Sequence, residues 1–223
     1  MVTIHVKQEN IDKVQKFARD MVEKGYQREI RTGGTKKRSK QEIYNDIIEG
    51  RYAEYAYYQY IISNKRGTIS EPDLEEWVRG EWDEGIDFKQ NSHGHEYIIE
   101  IKASSEISRL VLLTAKDLIR DEGGRVKFEH GDSCPDFIIG AKVNKKTKTV
   151  TFPGYITKED LNKALKFPKE YLWRKGELIP GTTSVLDADN YIWVYPDDSK
   201  AVNNKSNRKV KTARKFPDHH KKY

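Results

Sequence analysis

An α/β fold with a mixed central sheet flanked by helices is what this chain predicts, and three patterns carry the prediction. Residues 11–24 and 40–64 show helical periodicity. Residues 86–89 and 96–103 alternate apolar and polar side chains around the polar, Gly-containing connection Asn91-Ser92-His93-Gly94. Further apolar runs follow, giving the order helix, hairpin, helix, strand, strand.

Taken in order, the first helix ends at Gly25 and leads into a Gly- and Lys-rich connection. The second contains no proline, and Ile43, Ile47, Ile48, Tyr52, Tyr55, Ala56 and Gln59 share one face of it. The tyrosines at 52, 55, 57, 58 and 60 could stack on bases, but such a cluster reads first as core. In the hairpin, Ile86 and Phe88 join Tyr97, Ile99 and Ile101 on one face, which leaves Asp87, Glu100 and Lys102 on the other. Pairing Gln90 with His95 sets Asp87 across from Ile98 and makes it a diagonal neighbour of Glu100, roughly 7–8 Å away. Leu110, Leu113, Leu118 and Ile119 predict a third helix over 108–122, ended by Gly123-Gly124. Strands are expected over 137–143 and 149–156, joined by a turn at 144–148. Thr157 begins a capping box with Asp160, so those acidic residues belong to a helix start. A last strand is expected over 191–195.

Asp87 and the Glu100-Ile101-Lys102 triplet are the chemically informative residues. Two carboxylates and one backbone carbonyl, here that of Ile101, suffice to hold Mg²⁺, a hard cation that keeps several waters. Mn²⁺ is expected to substitute for it. Such an ion lowers the pKa of a bound water and neutralises charge on a phosphate. An ammonium two residues beyond Glu100, that of Lys102, can orient the attacking water or stabilise the transition state.

With these residues in place, the stretch over roughly 40–140 resembles the PD-(D/E)xK nuclease superfamily, which includes restriction endonucleases, phage nucleases and junction resolvases. The resemblance implies a restriction-endonuclease-like sheet, metal ligation by Asp87 and Glu100, and water positioning by Lys102. It also implies a helical Glu beside the metal, for which Glu54 is the first choice and Glu49 the alternative. Ile86 stands where the family commonly has Pro. In a chain that is 34% charged, D-x12-E-x-K alone is permissive, so the amphipathic hairpin and the preceding helix carry the assignment.

Charge is unevenly distributed. The chain carries a formal +6, yet 199–223 holds nine Lys or Arg against one Asp, a net of +8, and 28–40 holds six against one Glu, a net of +5. Both segments read as basic arms, 1–39 including an N-terminal helix and 199–223 forming a disordered tail around a core over 40–198. Arg31, Lys36, Lys37, Arg38, Lys205, Arg208, Lys209, Lys211, Arg214 and Lys215 are the candidates for following a phosphate backbone. The expected partner is double-stranded DNA, and a homodimer would let two sites cut both strands. No membrane span or signal peptide is expected, which reads as a soluble, cytoplasmic protein. Cys134 is the single cysteine, so zinc fingers and intramolecular disulfides are excluded.

Other constellations carry less. Pro135-Asp136 has no acidic-x-Lys partner, and Asp136 reads as a turn residue. His130, Asp132, Cys134 and Asp136 would share a strand face as a transition-metal site, but the intervening Gly131, Ser133 and Pro135 favour a turn. His93 and His95 are loop histidines. Gly33-Gly34 with Lys36-Lys37 lacks phosphate-loop spacing, so no nucleotide cofactor is expected. The chain therefore reads as a Mg²⁺-dependent DNA endonuclease of restriction or phage type. A junction resolvase or recombination nuclease is the alternative enzyme, and a non-catalytic nucleic-acid-binding protein the alternative of another class.

Overall fold

Two helices, a curled mixed sheet and a second, smaller sheet form successive layers. The computed structural model describes residues 1–25, 37–75, 86–120, 122–124, 126–128, 134–180, 182, 185–204 and 210–217. The elements are β1 (Val2–His5), α1 (Gln8–Lys24), α2 (Lys40–Ser63), β2 (Thr68–Ile69), β3 (Phe88–Ser92), β4 (His95–Ser105), β5 (Leu110–Thr114), β6 (Leu118–Arg120), β7 (Val126–Phe128), β8 (Phe137–Asn144), β9 (Thr149–Thr157), α3 (Lys158–Lys166), α4 (Pro168–Tyr171), β10 (Leu172–Trp173), β11 (Asn190–Val194), α5 (Ser199–Asn203) and β12 (Arg214–Lys215). The main sheet runs β1-β9-β8-β4-β3-β2, with β12 also on β9. All its pairings are antiparallel except β4 with β8. No helix among the described residues is long and apolar enough to cross a membrane.

Ser39 starts α2 by accepting from the Glu42 N–H, while the Glu42 carboxylate accepts from the Ser39 N–H. The predicted apolar face is found, but burial goes further. Ala53, Glu54, Tyr57, Tyr60 and Ile61 are also buried, so the second half of α2 is enclosed nearly all round. Tyr52, Tyr55, Tyr57 and Tyr60 are buried core residues, the first reading of this cluster. α2 packs on Phe88, Ile99 and Ile101 of the hairpin, so the predicted apolar hairpin face is the helix-facing one.

The hairpin register differs from the expected one. His93 (φ 51°) and Gly94 (φ 75°) alone make the turn, both with the positive φ of a two-residue type I′ connection. Gln90 therefore pairs with Tyr97, and Phe88 with Ile99. The paired register ends at Phe88 with Ile99, and Asp87 lies in the bend just before it. The shift is two residues, so side chains keep their predicted faces.

Two expectations fail. Residues 108–122 are not a helix: β5, a 3₁₀ turn at Ala115–Asp117 and β6 occupy them. Val111 and Leu113 alternate with Leu110 because β5 pairs with β11 in a sheet β10-β11-β5 that is apolar on both sides, and that pairing overrides the helical spacing. The C-terminal segment is also not a disordered tail over 210–217. Val210, Ala213 and Phe216 are buried, and β12 pairs Arg214 with Tyr155 and Lys215 with Gly154. Its sparse apolar residues are spaced to pin an edge strand, which bulk composition conceals.

A bulge in β9 shapes the sheet. Gly140 pairs with Gly154 but Lys142 with Thr151, so β9 carries one extra residue around Phe152-Pro153. The extra residue inverts the alternation. Val150 and Phe152 face the helices, as does Tyr155, while Ile156 faces the second sheet. Pro153, lacking an N–H, sits where the outer edge of β9 passes from β1 to β12. On the neighbouring strand a Cβ at Gly140 would come within 2.5 Å of the buried Tyr195 ring.

Gly140→Ala should therefore lower stability by roughly 2 kcal/mol, the usual scale of overpacking a close-packed contact. Denaturant titration checks this, and a change near zero would mean the second sheet can draw back without cost.

Candidate metal and catalytic site

The hairpin that exposes Phe88 and Ile99 to α2 necessarily sends Glu100 and Lys102 to the opposite face. There Glu100 is buried and ion-paired with Lys102, which is partly exposed. Asp87, just ahead of β3, accepts the Ile101 N–H on Oδ2 at 2.6 Å, and so is fixed against the middle of the triplet. The register places Lys102 beside Gly140 and Glu100 beside Ile138 of β8. Lys102 thus lies on the strand position where the glycine admits Tyr195.

Glu54 is drawn into the same electrostatic cluster. Burial raises the Glu100 pKa above the ordinary carboxylate value, and the Asp87 and Glu54 charges push it the same way, while Lys102 opposes them. Glu100 and Asp87 in turn raise the Lys102 pKa against the effect of burial. Glu49, the alternative helical Glu, points elsewhere and pairs with Lys145 of the β8–β9 turn at 2.8 Å. Glu54 is the one that joins Glu100.

Two further residues belong to this cluster. Arg51 donates to Glu54 at 2.5 Å, lies over the Phe17 ring at 5.3 Å, and is held protonated by the Glu54 and Asp87 charges despite burial. Asp117, on the 3₁₀ turn after β5, acts on Lys102 electrostatically, and its Oδ1 is buried and accepts no hydrogen bond. Arg51 was legible as the i−3 neighbour of Glu54. Asp117 was not, because its segment read as a helix.

Four carboxylates, Asp87, Glu100, Glu54 and Asp117, gather beside two cations, and their oxygens are the donor type suited to a hard divalent ion. One oxygen each of Asp87, Glu100 and Glu54 is engaged by a protein cation or N–H, and no group of three or more His, Cys, Asp or Glu is arranged to hold a metal among the described residues. The donor chemistry nevertheless fits such an ion, since Glu100 and Asp87 repel one another in a buried setting. Asp87 and Glu100, with the Ile101 carbonyl, would be its holders.

The remaining candidates are dispersed. Arg31, Lys36, Lys205, Arg208, Lys209, His130 and Asp132 lie outside the described residues. Arg38 pairs with Asp46 at 2.7 Å, Lys211 with Glu170 at 2.6 Å, and Arg214 reaches both Asp160 oxygens at 2.8 and 3.2 Å. Lys37 and Lys215 are exposed. Asp136 is a strand-joining residue: its N–H donates to the Ile98 carbonyl at 2.8 Å and its Oδ2 accepts the Ile98 N–H at 2.9 Å. Cys134 is buried, which pushes its thiol up to about 11.

Comparison with protein-family models, with curated proteins and with solved structures finds no match.

The raised Glu100 pKa gives a signed expectation. Above the ordinary carboxylate range the unfolded chain has released a proton that folded Glu100 retains, so with divalent ions chelated this group makes stability fall as pH rises. Asp160 and Glu71 are shifted down, so their contribution is lost at more acid pH and does not mask the slope. Mg²⁺ should raise Tm most at the high end of the window, and Glu100→Gln should flatten both the slope and the Mg²⁺ response. Thermal melts across pH decide it; an unchanged Mg²⁺ response in Glu100→Gln would remove Glu100 from the ligand set.

Proposed function

We propose that this chain is a Mg²⁺-dependent DNA endonuclease with a restriction-endonuclease-like core, hydrolysing phosphodiester bonds as restriction-type or phage-encoded enzymes do. One observation carries the reading: Glu100 and Lys102, read from sequence with Asp87 as one site, are ion-paired on one sheet face, Asp87 is hydrogen-bonded to the Ile101 N–H between them, and the Glu54 charge acts on Glu100. When bound there, Mg²⁺ supplies Lewis-acid activation of water and phosphate.

The protein groups have separable roles in this reading. Asp87 and Glu100 supply carboxylate oxygens on a rigid interior strand and the bend before its neighbour. The Ile101 N–H fixes the Asp87 rotamer, so the two carboxylates are preorganised. Lys102 leaves its pair with Glu100 to orient a water and offset charge on the phosphate. Asp117 adds a further negative charge that acts on the Lys102 ammonium. Arg51 holds Glu54. DNA approach is served by the exposed Lys37 and Lys215 and by the basic residues of 26–36 and 205–209, with a homodimer acting on both strands.

A non-catalytic nucleic-acid-binding role is favoured by one observation, that Glu54 and Glu100 are already satisfied by protein cations. Incubating supercoiled plasmid, linear duplex and a four-way junction with the protein, in Mg²⁺ or EDTA, separates the readings. Cleavage should require Mg²⁺ and fall by at least about 100-fold in Lys102→Ala, the scale of losing one electrostatic stabiliser. Preference for the junction would select a resolvase. Binding without cleavage of any substrate by folded protein would leave the binding role.

A further inference from the structure

We propose that a cavity on the helix-facing side of the main sheet binds a single nucleotide through its base and phosphate. The cavity encloses about 750 Å³ between the C-terminal end of α2 and the β3–β4 turn, within the roughly 300–1,000 Å³ typical of small-molecule sites. It lies on the Ile99 side of β4, whereas Glu100 and Lys102 point to the other side. The inference is independent of the cleavage reading.

Aromatic rings from three adjacent strands make one wall. Tyr97 of β4, Phe137 of β8 and Tyr155 of β9 follow one another at centroid distances of 5.6 and 5.8 Å. All three are only partly buried although they stand beside the main core. The bulge in β9 is what turns Tyr155 to this side. A row of part-exposed rings offers π faces to a planar base, with stacking tolerant of base identity.

The rim is cationic. Lys65 and Arg66 follow α2, His93 joins them from the hairpin turn, and no Asp or Glu among the described residues lines the cavity. No Asp or Glu among the described residues pairs with Lys65 or Arg66. That is unusual in a chain with 35 acidic residues, and it leaves the positive charge for an anion. Arg66 is held in place. The Arg66 guanidinium lies over the Tyr60 ring at 5.1 Å, and its backbone carbonyl accepts from Gln90 Nε2 at 2.9 Å. Gln90 in turn accepts from the Tyr57 hydroxyl at 2.7 Å inside the same cavity. A π-lined wall with a fixed cationic rim matches an aromatic ring joined to a phosphate.

The nucleotide could be free or one unit of a strand, and titration separates the two. The full chain in EDTA would be titrated calorimetrically with thymidine and adenosine monophosphates, inorganic phosphate and a short oligothymidylate, beside a Lys65→Gln/Arg66→Gln double variant, Phe137→Leu and Lys102→Ala. Variant melting curves establish folding. The monophosphates should bind well above inorganic phosphate. Affinity should fall about tenfold in the double variant and about fivefold in Phe137→Leu, and should not change in Lys102→Ala. A tighter oligothymidylate places the unit in a strand, and equal affinity makes the free nucleotide the ligand. Phosphate binding as tightly as the nucleotides, affinity unmoved in the folded double variant, or no nucleotide binding at millimolar concentration would each overturn the proposal. Loss of cleavage with this binding intact would count against the catalytic site alone.

Discussion

The two-residue alternation of β4 is the constraint on which the structure depends. β4 is an interior strand, paired antiparallel with β3 and parallel with β8. Each of its side chains is therefore committed to one of two environments, α2 or the second sheet. Ile99 and Ile101 anchor the helix-facing core, and their burial forces Glu100 and Lys102 into a confined space on the other side. An isolated charge there would be costly, so the two sit as a pair, with Asp87 tied to the intervening N–H. Packing and site chemistry are alternate letters of one strand.

The same alternation is interrupted where the fold needs it. In β9 the extra residue at Phe152-Pro153 lets one strand serve the helix layer with Phe152 and the second sheet with Ile156. Gly140, opposite the bulged stretch, admits the Tyr195 ring, and Lys142 extends over that ring to pair with Asp198 at 3.0 Å. The second sheet is thus docked through a missing side chain and a neighbouring cation, close to the strand position of Lys102.

Much of this was legible in the sequence, and for local reasons. The capping box at Thr157, the Gly25 stop and the hairpin alternation are short-range signals. The sorting of Glu100 and Lys102 onto the face away from α2 survived a two-residue error in register because the period is two. What was not legible depends on partners far along the chain. β5 looks helical until β11 is beside it, and Asp117 is misplaced with it. The segment 210–217 looks like a solvated arm because only Val210, Ala213 and Phe216 are apolar, yet each is buried. Lys211 and Arg214, expected at a phosphate backbone, answer Glu170 and Asp160 within the fold.

The edge of β9 also has a temporal consequence. Val2–His5 and Arg214–Lys215 occupy successive stretches of one strand edge, with the Phe216 N–H donating to the Pro153 carbonyl at the join. A chain emerging from the ribosome holds β1 and β9 before residues 214–216 exist, so part of the β9 edge stays open until β12 is made. Closing it requires non-local contacts, which are slow to form. An open strand edge is a template for pairing with another chain. The nascent protein's greatest exposure to misassociation therefore falls between the emergence of β9 and that of β12, and the last packed segment is what ends it.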